Sequence, residues 1–158
     1  MTGTWRRRWL AVDLGDRRVG LALSDPLGMI ASPAGHLERR AGKRPPLTAL
    51  LAKAAELGAE GFVVGLPLDQ NGDETPRAME ARRLALELQT RSGHPAELVD
   101  ERFTTASALR AIRDMEGSTR GRKGDVDAMA AAVMLRIALD RFARAEAMGV
   151  VVERGADV

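Results

Sequence analysis

The 158-residue chain contains no cysteine, which excludes a disulfide framework and thiolate chemistry. Only 3% of its residues are aromatic, so Ala and Leu must carry the core and a helix-rich fold is favoured. Few aromatics also means few platforms for stacking bases. No stretch approaches the ~20 consecutive apolar residues of a membrane span, and no membrane partner is expected. Residues 1–8 hold three arginines and no apolar run of the kind a secretory signal needs, so a cytoplasmic location is expected. Neither repeats nor a linker composition break the chain. The expectation is one domain over 9–147, a flexible start over 1–8 and a tail over 148–158. His36 and His94 stand far apart, and neither reads as catalytic.

The net charge is only +2, but the cations cluster: Arg6-Arg7-Arg8, Arg17-Arg18, Arg39-Arg40 with Lys43-Arg44, and Arg120 with Arg122-Lys123. Such clusters suit a polyanion; an arginine-rich solvated surface is the plainer alternative.

The stretch from Trp9 to Ser24 organises the rest. Leu10, Val12 and Leu14 alternate with Trp9, Ala11 and Asp13, and after Gly15-Asp16 the alternation resumes with Val19, Leu21 and Leu23. This period of two predicts a hairpin, with Gly15-Asp16 as a turn tolerating positive φ. Asp13 is the odd residue, because a lone carboxylate in an apolar strand is costly to bury. Gly20 and Ala22 are expected beside it, leaving an open floor.

Further along, residues 29–37 predict an edge-like strand interrupted by Pro33. Pro45-Pro46 opens a helix with a stripe of Leu47, Leu50, Leu51, Ala54 and Leu57, and Gly58 closes it. Residues 61–66 are wholly apolar and predict a buried parallel strand. Pro76 opens a second helix to about Arg91, and residues 96–101 form a strand ending in two acids. Thr104 is expected to cap a helix over about 105–115. A Gly- and Arg-rich loop precedes a last helix over about 125–147. The result is an α/β fold: a mixed five-stranded sheet, antiparallel over its first three strands and then parallel, with helices on both faces.

Three acids stand at element ends in apolar settings: Asp13 ends the first strand, Glu101 the last, and Asp127 lies in the first turn of the last helix. Converging carboxylates suit hard divalent cations. Two such ions roughly 3.5–4 Å apart can promote phosphodiester cleavage. Each acid also has a plain alternative: a turn for Asp13, a partner such as Arg102 for Glu101, the helix dipole for Asp127. Asp125 points about 200° away from Asp127 on a helix and is expected to be the N-cap.

Four stretches carry a family resemblance: Val12-Asp13-Leu14-Gly15-Asp16-Arg17-Arg18-Val19-Gly20, Val64-Gly65-Leu66-Pro67-Leu68, Val99-Asp100-Glu101-Arg102-Phe103-Thr104-Thr105 and Asp127-Ala128-Met129-Ala130-Ala131. In this order, over about residues 9–144, the chain resembles the YqgF family. These are Holliday-junction-resolvase-like nucleases of ribonuclease H fold, associated with maturation of the pre-16S rRNA end. The resemblance implies that Asp13, Glu101 and Asp127 are catalytic and bind Mg2+ or Mn2+, as two ions. One departure stands out. The wider ribonuclease H pattern ends its fourth strand in an acid, whereas that strand here ends in Gly65-Leu66-Pro67.

Arg17, Arg18, Arg102, Arg120, Arg122 and Lys123 lie near the three acids in sequence and are the candidates for nucleic-acid contact. The expected activity is metal-dependent hydrolysis of pre-16S rRNA near its 5′ end. The alternatives are junction resolution on DNA and a ribosome-assembly factor with an idle acidic site. Expected partners are RNA and possibly DNA, with the protein a monomer or small homodimer, because the last helix shows one apolar stripe and the sheet takes it.

Overall fold

Residues 9–14 alternate between two apolar faces, and both are buried because this strand, β1 (Trp9–Leu14), lies at the centre of the sheet. The computed structural model describes residues 4–40, 43–102, 104–109 and 123–149, with 123–125 in backbone only. β1 pairs antiparallel with β2 (Arg18–Ser24), which pairs antiparallel with β3 (Ala31–Glu38). On its other side β1 runs parallel to β4 (Gly61–Leu66), and β4 runs parallel to β5 (Ala96–Asp100). The order is β3-β2-β1-β4-β5, the mixed sheet that the alternation and the buried run imply.

Each face of the sheet is covered by the helices its side chains predict. Leu10, Val12, Leu14, Val19 and Leu21 pack with α1 (Leu47–Leu57) and α2 (Pro76–Ser92). Trp9, Ala11, Ala22, Val63 and Val99 pack on the other face with Ala131, Met134, Leu135 and Ala138 of α3 (Lys123–Ala147). Small residues at positions 11 and 22 admit the long helix close to the strands. Gly58 caps α1 at φ 71°, and Thr75 caps α2 by accepting from the Ala78 N–H at 3.0 Å, with Pro76 at the first helical position. Residues 105–109 are helical, and Thr104 accepts from the Ser107 N–H at 3.2 Å as the expected cap. β3 is one of the two edge strands, and Pro33 sits beside a register shift opposite Gly20 and Ala22, where a missing donor costs least. Among the described residues no helix is long and apolar enough to cross a membrane.

Trp5 is buried, lies tilted against Phe142 and accepts the Trp9 indole N–H on its carbonyl at 2.8 Å, so the core includes a residue ahead of β1. Three local expectations are corrected. Gly15 does not adopt positive φ. Its N–H closes the turn onto the Arg18 carbonyl at 2.9 Å, while Arg39 and Arg77 grip the carbonyls of Gly15 and Leu14. Asp125 and Lys123 both lie within α3, so Asp125 is not placed before the helix as a cap requires, and Lys123 is not in the preceding loop. Arg120 and Arg122 fall outside the described residues.

Candidate active site

Asp13 continues the Trp9–Ala11 face of β1, and Glu101 continues the Val99 face of β5, so both project toward α3 at the carboxyl ends of parallel strands. In open α/β sheets this edge is where ligands bind. Asp127 stands on the first described turns of α3, one turn before Ala131 and two before Met134, on the side that packs against the sheet. All three carboxylates are buried, at 0%, 2% and 0% exposure for Asp13, Glu101 and Asp127.

Two glycines make this convergence possible. Gly20 lies directly opposite Asp13 in the ladder, and a Cβ there would sit 2.2 Å from the Asp127 carbonyl oxygen. The helix backbone therefore rests on Gly20, beside Asp13. Gly65 lies one step beyond the Val12–Val64 pair, next to Asp13, and a Cβ there would meet Met134 Sδ at 2.7 Å and Glu101 Oε1 at 3.1 Å. Glu101 thus leans back across Gly65 toward β1. The space a side chain at Gly65 would fill is the one beside Glu101. Gly20→Ala is expected to destabilise the fold by about 3 kcal/mol, the upper end of overpacking costs, because backbone must move. Urea denaturation measures it, and an unchanged midpoint would mean that α3 does not sit on this strand.

Asp127 has a described counter-ion. Arg18, at the start of β2, donates from Nε to Asp127 Oδ2 at 2.8 Å, and its side chain is 20% exposed. Among the described residues no three acidic or histidine side chains already surround one point in the manner of a metal cage. Asp127 turns to Arg18 instead. The donor set is nevertheless of the right kind for a hard cation: three carboxylates, buried together at one strand edge, with no softer ligand among them. Burying one without a compensating cation is expensive, and Arg18 supplies that cation for Asp127.

The neighbouring candidates separate clearly. Arg17 is exposed on the β1–β2 turn. Arg102 is forked onto Asp100 through Nε at 3.0 Å and Nη2 at 2.8 Å. That donation holds the Asp100 carboxyl below the usual carboxylate range, against the opposing effect of partial burial. By alternation Asp100 faces away from Glu101, so Arg102 compensates an acid outside the cluster. Asp69 caps its own loop, accepting from the N–H groups of Asn71 and Asp73 at 2.8 and 2.9 Å. Arg77 was not singled out by the sequence, and Arg39 only as part of a cation cluster, because their partners are carbonyls 63 and 24 residues away.

A mixed five-stranded sheet in the order 3-2-1-4-5 with helices on both faces is the ribonuclease H-like fold. Two solved structures share it. The Thermus thermophilus RuvC structure superposes with a TM-score of 0.52 at 14% identity, covering 93% of this chain and 99% of that one. T. thermophilus RuvC in complex with a Holliday junction substrate gives 0.55 at 16%, covering 92% and 98%. The chain belongs to the RuvX family: the family model described as "RuvX: Holliday junction resolvase" matches residues 7–141. Relatives from Clavibacter michiganensis and Koribacter versatilis, each 39% identical, are named as candidate pre-16S rRNA nucleases. The first match covers 83% of this chain and 81% of the relative, the second 85% and 87%. A relative from Anaeromyxobacter dehalogenans with the same name is 41% identical over 86% of this chain and 98% of its own. The YqgF resemblance of the four motifs and this membership are one and the same.

Proposed function

We propose that the protein is a metal-dependent nuclease that hydrolyses phosphodiester bonds of RNA, with the pre-16S rRNA end as its substrate. The observation that carries this reading is the burial of Asp13, Glu101 and Asp127 at one edge of the sheet, over a floor of Gly20 and Gly65. The names of the relatives support the rRNA substrate.

Asp13, Glu101 and Asp127 would hold Mg2+ or Mn2+. When bound, two such ions supply an activated water and positive charge opposite the leaving oxygen. The remaining work belongs to the chain. Gly20 and Gly65 keep side chains out of the floor so that the three carboxylates can draw together. Arg18 neutralises Asp127; with a cation held by Asp127, the Arg18 guanidinium would be free to meet a phosphate oxygen. Arg17, exposed on the adjoining turn, meets the strand at its entry. No histidine serves as general base.

A second reading, resolution of four-way DNA junctions, is favoured by the description of the family model. Paired cuts need two sites related by a two-fold axis at fixed separation. The apolar stripe of α3 is spent on the sheet, which favours single cuts in flexible RNA. The test gives purified protein Mn2+ with a precursor-like RNA and, separately, a labelled junction. Cleavage of the RNA, lost in Asp13→Asn, is expected; symmetric paired nicks in the junction with the RNA left whole would favour resolution.

RNA affinity, measured without divalent ions by fluorescence anisotropy, is expected to fall by orders of magnitude from ~50 to ~200 mM salt. A flat response would assign the cation clusters to solvated surface.

A further inference from the structure

On the sheet face opposite the three acids, an open cleft of about 540 Å³ lies between the β1–β2 turn, the segment after β3 and the first turn of α2. Its walls carry Arg39, Lys43, Arg44 and Arg77 against Asp16 and Glu80, four cations to two carboxylates. We propose that this cleft binds the phosphates of an RNA strand a few nucleotides from the bond to be cut. The inference rests on the nuclease reading and adds a path for the substrate across the β1–β2 turn.

Three features support it. First, the cations divide into two kinds. Arg39 pairs with Glu80 at 2.5 Å and donates to the Gly15 carbonyl, and Arg77 pairs with Asp16 and donates to the Leu14 carbonyl. These two shape the cleft and hold the turn. Lys43 and Arg44 are exposed and make no ion pair among the described residues, so their charge is available to a ligand. Second, α2 begins at the cleft with Thr75 and Pro76 and has no acid in its first turn, so the positive end of the helix dipole adds to the same field. Third, the cleft adjoins the catalytic edge through the turn itself. Leu14 and Gly15, whose carbonyls Arg77 and Arg39 grip, directly follow Asp13, and exposed Arg17 lies between. Asp16 lies three positions after Asp13, a chain reach of at most about 10 Å, comparable to one or two nucleotides of extended strand. The cleft has no aromatic wall, so it takes the backbone and not the bases.

The test uses a fluorescein-labelled 12-nucleotide single-stranded RNA, with binding read by anisotropy in EDTA at several salt concentrations. The double variant Lys43→Gln/Arg44→Gln is compared with Arg136→Gln/Arg144→Gln, which removes the same charge from α3 on the other face of the sheet. Loss of two phosphate contacts should weaken binding about tenfold near 50 mM salt and lower the salt slope by about 1.4. The α3 variant should lose much less. Equal losses in the two variants would overturn the cleft, and the nuclease reading would stand on its separate cleavage assay. A wild type with no affinity for the RNA would overturn both.

Discussion

Asp13→Asn is expected to abolish cleavage, lowering the rate by at least about 10²-fold, the scale of removing one group that stabilises developing charge. The amide keeps the shape of the side chain but cannot supply a charged oxygen to a cation. Asp13 is fully buried opposite Gly20, so the substitution removes charge from a site where charge is costly. Thermal stability without divalent ions should therefore hold or rise. The wild type should gain stability from Mn2+ by linkage, about 2.7 kcal/mol at a hundred times Kd, and the variant should not. Glu101→Gln and Asp127→Asn should lose activity to a similar degree. Full activity in any of the three would remove that residue from the site.

Arg18→Gln should have the largest effect on stability. It leaves Asp127 buried without its 2.8 Å partner, and breaking a buried pair from one side costs about 3–5 kcal/mol. The opposite change is milder, since Arg18 is partly exposed and can turn to water. Arg18 and a cation compete for the same Asp127 oxygen, so Arg18→Gln should bind Mn2+ at least about tenfold more tightly, equivalent to 1.4 kcal/mol. Saturating Mn2+ should recover part of the lost stability. Calorimetric titration and thermal unfolding read the two effects separately. A loss of stability with unchanged Mn2+ affinity would make Arg18 a structural counter-ion only.

Local patterning made much of this site readable in advance. Alternation over residues 9–14 and 19–24 put Asp13 on the face of Ala11, with Gly20 and Ala22 as its neighbours across the turn, and the ladder pairs Asp13 with Gly20 and Ala11 with Ala22. The helical period put Asp127 on the side of Ala131 and Met134, where it is buried. What escaped depends on contacts distant in sequence or on turn geometry. Arg18 reaches Asp127 across 109 positions, and no periodicity links them. Gly15 suggested a left-handed turn, but two arginines from β3's end and α2 fix that turn by its carbonyls. Trp5 lies ahead of any strand pattern and joins the core with its indole tilted against Phe142 of α3. Asp125 looked like a cap because it points about 200° away from Asp127, yet the backbone is already helical at Lys123.

Whether Asp13, Glu101 and Asp127 form one cation site is read most directly by anomalous diffraction from a crystal soaked in Mn2+. A peak is expected among the three carboxylates above Gly20 and Gly65, with Asp127 turned from Arg18 toward it. A well-diffracting soaked crystal with Mn2+ bound elsewhere, and Asp127 still on Arg18, would contradict it.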